Sequence, residues 1–315
     1  MSELIKTKRY KSGEEFLTDI SYGGEMYKAF NNNFVYRGHQ SGAYKLMPSV
    51  LRDSEQSVDA DVNEIADKDD FPINIRKSEL IQMTKEYMEL KNFFSLCDIN
   101  GLKLPPVERF RRSIINPRDV LLFFIARKEW IPDDLHELAA LAQHYGMKTR
   151  LLDWTMSLET AIYFAVHKEP ELSPEEIAEE DSDCVAIWAL NLYADFDSKT
   201  PLRIIRPPYY GNANLAAQKG LFTYWNVTGL DIPLNGGSDT NIQEIFNQLT
   251  NLKPLDELIE TEFKKLDSKD VIMWKLLIPR KDRKKLYEYI RKRNVSAASL
   301  FPGYAGVVRA MEEDK

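Results

Sequence analysis

Residues His136 to His167, HELAALAQHYGMKTRLLDWTMSLETAIYFAVH, decide how the rest of the chain is read. Leu138, Leu141, Ala142 and Tyr145 recur at the i, i+3, i+4, i+7 spacing of one helix face. Gly146 can close that helix in a left-handed cap, which places Gln143 and His144 in its last turn. Thr149 to Asp153 is predicted as a short strand, because the apolar pair Leu151 and Leu152 is too brief for a helix. Leu158, Ala161, Ile162 and Ala165 draw a second helical stripe, with Ser157 standing where an N-cap belongs and Glu159 in the favourable first turn. Asp153, Trp154 and Thr155 then form a linker at the second helix's N-terminus, where unpaired N–H groups and the helix dipole favour phosphate or another anion. The same residues also serve as plain helix caps.

Outward from this stretch, the apolar runs alternate between helical and strand spacing. Phe34 to Arg37 is β-prone and stops at Gly38, so Arg37 is expected at a strand end, where it either holds a buried ion pair or grips a phosphate or carboxylate. Cys184 to Leu190 is apolar throughout, which predicts a strand covered on both faces. Leu202 to Arg206, Gly220 to Trp225 and Val271 to Ile278 read as further strands. Helices are predicted around Ser12 to Phe30, Glu79 to Phe94, Pro117 to Lys128, Ile242 to Leu252, Leu255 to Leu266 and Arg280 to Arg293. Asp53 to Asp70, Glu169 to Asp183 and Gly229 to Asn241 read as polar loops, the middle one acidic but without the glycine and spacing of a calcium loop. The fold class expected is α+β, a mixed, mainly antiparallel central sheet built from strands near 34, 150, 185, 203, 221 and 272 and covered by helices. Its organisation is read as a helical segment over 1–30, a main domain over 31–303 with a helical insertion at about 77–130, and a tail over 304–315.

Composition narrows the function. With 43% hydrophobic and 29% charged residues over 315 positions, the chain has an ordinary globular balance and enough length to bury a sizeable core. A net charge of −7 argues against broad electrostatic binding of nucleic acid, so any contact with a polyanion must be focused in one place. Cys97 and Cys184 are far apart, and the four histidines lack metal-ligand spacing, so no metal is expected. No apolar run is long enough to span a bilayer and the amino-terminal residues lack a signal-like apolar core, so no membrane partner and a cytoplasmic location are expected.

Seven motifs add a resemblance. FVYRGHQ from Phe34, LMPSVLR from Leu46, QHYG from Gln143, TRLLDWT from Thr149, AIYFA from Ala161, QKGLFT from Gln218 and LFPG from Leu300 together resemble the FRG domain family, with Tyr36 in place of the phenylalanine of the family name. That family is typically bacterial or phage-associated. The arginine–glycine strand, followed by a Ser/Thr-containing turn and a helix, also looks like the first two signatures of arginine-type ADP-ribosyltransferases, which implies an ADP-ribosyltransferase-like core. Such a likeness implies NAD as substrate. Arg37, Gly38, Tyr44, Gln143, Trp154, Thr155 and Ser157 would bind it, with Tyr44 or Trp154 stacking on nicotinamide. Arg37, His144, Asp153 and Gln218 would take part in catalysis, with His144 as base toward an acceptor. Gln218 stands where those enzymes carry a glutamate, so the chain either uses another carboxylate such as Asp153 to stabilise the cationic ribose, has altered chemistry, or only binds the ligand. The function implied is a nucleotide-handling enzyme, either an NAD-dependent ADP-ribosyltransferase with a protein or nucleic-acid acceptor or an NAD glycohydrolase. The alternative is a non-catalytic recognition domain that binds a nucleotide, nucleic acid or protein through the same polar pocket.

Overall fold

A computed structural model describes residues 4–30, 33–52, 79–112, 130–168, 170, 172–194, 201–210, 212–226, 253–263 and 271–313. Its strands are β1 (Ile5–Arg9), β2 (Phe34–His39), β3 (Leu152–Thr155), β4 (Cys184–Asn191), β5 (Leu202–Ile205), β6 (Gly220–Trp225) and β7 (Met273–Pro279). The helices before β3 are α1 (Gly13–Asp19), α2 (Glu25–Ala29), α3 (Ser49–Arg52), α4 (Glu79–Ile99), α5 (Glu108–Arg112) and α6 (His136–His144). After it come α7 (Leu158–Val166), α8 (Pro174–Ala178), α9 (Ala213–Ala217), α10 (Leu255–Glu262), α11 (Arg283–Arg291), α12 (Ala297–Leu300) and α13 (Tyr304–Glu313). The helix expected at Pro117 to Lys128, the helix expected at Ile242 to Leu252 and the loops expected at Asp53 to Asp70 and Gly229 to Asn241 lie outside the described residues.

The strands form one α+β sheet in the order β1-β7-β4-β2-β3-β6-β5, antiparallel at every pairing except β1 with β7. Strand alternation sorts its side chains. Val185, Ile187 and Ala189 of β4 pack under α7 and α11, while Cys184, Ala186, Trp188 and Leu190 face the layer containing α10. A third cluster joins α4, α5 and α6 to Phe222 and Tyr224 of β6. All seven residues from Cys184 to Leu190 are buried, as the unbroken apolar run requires of an interior strand.

Several elements differ from the sequence reading, among them α8, a short helix with its own Ser173–Glu176 capping box inside the stretch Glu169 to Asp183 expected as a loop. Ile5–Arg9, within the expected helical segment, is an edge strand; its Lys6, Lys8 and Arg9 hid it from an apolar search, and charged residues are what protect a sheet edge. β3 begins at Leu152 rather than Thr149, because the Thr149 carbonyl is taken by Val50 N (3.3 Å) and Arg150 is turned into a buried ion pair with Glu86. Asp153, Trp154 and Thr155 are therefore strand residues and not a helix-entry linker. The expected tail over 304–315 contains α13, whose Glu313 accepts hydrogen bonds from Tyr163 (2.6 Å) and Tyr287 (3.3 Å).

The two halves of the sheet meet weakly. β2 pairs with β4 at six positions, but with β3 only at Tyr36 and Thr155. Beyond that single bridge the strands part, and α7 crosses β2 closely at Gly38. A Cβ on Gly38 would stand 1.9 Å from the Ala161 carbonyl oxygen and 2.7 Å from the Ala165 nitrogen, both backbone atoms that cannot step aside. Gly38→Ala is expected to cost about 3 kcal/mol or more of stability, read from the urea midpoint at constant slope. A loss under about 1 kcal/mol would show that the crossing has slack.

Candidate functional site

The parting of β2 and β3 is bridged by a side chain. Arg37 projects from β2 and donates from Nη1 to the Asp153 carbonyl (2.7 Å), while its Nε donates to His39 Nε2 (3.0 Å). Its guanidinium also lies 3.5 Å from the Asp153 carboxylate. Arg37 is thus within β2, not at its end, and it supplies a link that the backbone ladder lacks. Burial, opposed by the Asp153 charge, lowers its pKa, yet a guanidinium remains protonated.

Over this gap opens a cavity of about 770 Å³, within the range of small-molecule sites. Arg37, Gly38, Tyr44, Gln143, His144, Asp153, Trp154, Thr155 and Gln218 all line it; Ser157 does not. Gln143 bridges from α6, donating to Asp153 Oδ1 (2.7 Å) and accepting from Thr149. His144 beside it has its pKa lowered by burial, so the ring is neutral at pH 7. Gln218 ends α9 and donates its amide to the Leu300 carbonyl (3.1 Å).

Some side chains already have other work. The Trp154 indole is 3% exposed and donates to Thr223 Oγ1 (2.8 Å), so it is packed as core and does not offer a stacking face. Tyr44, half-buried and edge-on to His39, is the aromatic residue of that pair which is open to the cavity. Thr155 donates to the Gln218 carbonyl (2.6 Å) and accepts from Ser157 N (3.0 Å), which positions Gln218 rather than a ligand. Ser157 caps α7 by accepting from Thr160 N (3.2 Å) and donates to Glu159 (3.1 Å), so a carboxylate already sits at the helix N-terminus expected to hold an anion.

Other lining residues escaped the sequence reading. Lys45 and Arg52 join Arg37 as cations, with the lining carboxylates of Asp153 and Glu176 and with Asp256 3.9 Å from Lys45, so three cations gather at one place in a chain of net charge −7. Glu176 comes from α8, whose SPEE start forms a capping box, a helix signal present in the sequence. His39 lies in the FVYRGHQ motif, which points to no role for it, and it ends β2. It is buried, and burial together with the Arg37 charge lowers its pKa well below 6.5. Since Nε2 accepts from Arg37, the neutral ring carries its proton on Nδ1 and donates to the Tyr44 carbonyl (3.2 Å).

That arrangement has a pH signature. On acidification the unfolded chain takes up the His39 proton first, so stability held above about pH 6.5 is lost as pH falls toward the folded-state pKa. One histidine contributes a slope of at most about 1.4 kcal/mol per pH unit. His39→Gln should reduce the slope of unfolding free energy between pH 6.5 and 5 by a measurable part of that amount; identical slopes would mean His39 is protonated in the folded protein.

Residues 104–173 match the model of the FRG domain. Among curated proteins and solved structures, no match is found. The FRG segment contains α6, β3 and α7 and so contributes Gln143, His144 and Asp153 to the cavity, whereas Arg37 and Gln218 come from outside it. Among the described residues no cluster of His, Cys, Asp and Glu is placed to hold a metal ion, and no helix is long and apolar enough to cross a membrane.

Proposed function

We propose that the cavity binds a nucleotide, specifically NAD, and cleaves the bond between nicotinamide and ribose. One observation carries the reading: Arg37 on β2, Asp153 on β3 and Gln218 just before β6 line one cavity, with an exposed carboxylate 3.5 Å from the arginine. Arg37, Lys45 and Arg52 suit a pyrophosphate, since cationic donors recognise phosphate oxygens strongly. The glycosidic C–N bond breaks with its electron pair leaving on nicotinamide, and the ribose carbon becomes cationic. The Asp153 carboxylate stabilises that charge. Water, or a nucleophile of a protein or nucleic-acid acceptor, then bonds to the same carbon, and neutral His144 takes the proton it loses.

A recognition domain is the second reading, and Gln218 favours it. A carboxamide already donating to the Leu300 carbonyl replaces the acid that the ADP-ribosyltransferase likeness implies. Incubating the purified chain with NAD, with and without cell extract as acceptor source, separates the two when nicotinamide release and NAD binding are both measured. The enzyme reading expects release that Arg37→Ala abolishes. Saturable binding without release selects recognition; neither release nor binding removes both.

A further inference from the structure

The aromatic part of the cavity has no role in the reaction just described. Phe164 reaches it from α7, His167 from the C-cap of that helix and Phe301 from the turn after α12. On α7 the neighbouring Ala161, Ile162, Tyr163, Ala165 and Val166 are fully buried in the core, whereas Phe164 is only partly covered. Phe164 stands edge-on to Phe301 (6.3 Å, 89°) and to His167 (6.2 Å, 87°). The corner so formed is built of three aromatic rings.

It is also held rigidly from behind. The buried Tyr163 ring stacks on His167 at 4.9 Å, and the Arg309 guanidinium covers Phe301 at 4.6 Å while paired to Glu313 (3.1 Å). His167 Nδ1 lies 3.2 Å from the Tyr163 carbonyl and so donates there, leaving Nε2 to accept from the Gln40 amide at 3.5 Å. Burial lowers the His167 pKa, in keeping with a neutral ring. Among the described residues no donor occupies the Gln40 Oε1, which is therefore an acceptor beside the corner. Aromatic faces with a carboxamide at their edge suit a flat ring that carries polar atoms on its rim, and an alkyl chain would leave the amide unsatisfied.

We infer that Phe164, His167 and Phe301 form a subsite for the heteroaromatic base of a nucleotide, with Gln40 reading its edge. The inference rests on the nucleotide reading above and assigns where the base lies. The cationic side chains of the segment 37–52 then hold the phosphates of the same ligand.

Calorimetric titration of the full chain with ADP-ribose and with ribose 5-phosphate tests this, because the second ligand keeps a phosphate and lacks a base. Phe164→Leu and Phe301→Leu, each verified by its thermal melt, should weaken ADP-ribose about 5- to 150-fold and leave ribose 5-phosphate unchanged. In the wild type, adenosine should compete with ADP-ribose, a readout that needs neither variant to fold. Unchanged ADP-ribose affinity in both variants, or no competition by adenosine, overturns the subsite and leaves nucleotide binding standing. A wild-type chain that binds neither sugar phosphate overturns the nucleotide reading itself.

Discussion

Asp153→Asn is expected to slow nicotinamide release from NAD by about 100- to 1,000-fold, the usual cost of removing one group that stabilises transition-state charge. The substitution keeps the shape of the side chain, and its amide oxygen can still accept from Gln143 Nε2, now 2.7 Å away. The negative charge is what is lost. Folding should hardly notice, because the Asp153 side chain is 63% exposed and its 3.5 Å contact with Arg37 is an ion pair of the weakly stabilising kind. The Arg37 donor bond goes to the Asp153 backbone carbonyl, which the variant retains. NAD affinity should therefore change by far less than the rate. Wild-type turnover in Asp153→Asn would remove the proposed charge stabilisation and leave the carboxylate as a spacer between Arg37 and Gln143.

Arg37→Ala makes a different mark. It strips a phosphate ligand from the cavity and leaves the Asp153 carbonyl and His39 Nε2 without their partner, so both binding and stability should fall. The contrast between the two variants separates a residue that acts on the reacting carbon from one that also ties β2 to β3.

The sheet was legible wherever burial on both sides forces an apolar run, as in Cys184 to Leu190 and Gly220 to Trp225. Periodicity failed at positions where other forces place the backbone. β1 is drawn into the sheet by backbone pairing with β7, so its Lys6 and Lys8 show no strand pattern. α13 does carry a helical stripe, Tyr304, Val307, Val308 and Met311, but that stripe is exposed and the inward face is Gly306 and Ala310. A Cβ on Gly306 would meet the Phe301 carbonyl at 1.9 Å, so close packing selects the smallest residues there and conceals the buried side. The cavity was legible through Arg37, Gln143, His144, Asp153 and Gln218, which sit in recognisable motifs. Glu176 and Asn214 reach it from the short helices α8 and α9, and Phe301 from the turn after α12, all far from Arg37 and Asp153 in chain order. Ser157 and Trp154 show the reverse, since a cap and a core indole look the same in sequence as ligand-binding residues.

Glu86→Gln is expected to destabilise the fold by about 3–5 kcal/mol, because it removes the buried negative charge that Arg150 meets in the core. The Glu86 and Arg150 side chains are 5% and 3% exposed and meet as a two-pronged pair, with Arg150 Nε to Oε2 at 3.0 Å and Nη2 to Oε1 at 3.0 Å. Trp130 Nε1 donates to the same carboxylate at 2.7 Å, and Gln82 does so at 3.0 Å. The pair pins α4 to the residues just before β3, so its loss should reach Asp153 as well as the global melt. Urea unfolding measures the first effect and NAD affinity the second. Replacing both partners at once, Glu86→Leu with Arg150→Met, should recover much of the lost stability, since a well-packed apolar pair avoids the cost of desolvating two charges. If the single variant is as stable as wild type, water reaches Arg150 and the helical layer is held by its apolar contacts alone. If the double variant is as unstable as the single one, the pair also specifies how α4 seats against β3, and the geometry of the cavity depends on a charge outside its walls.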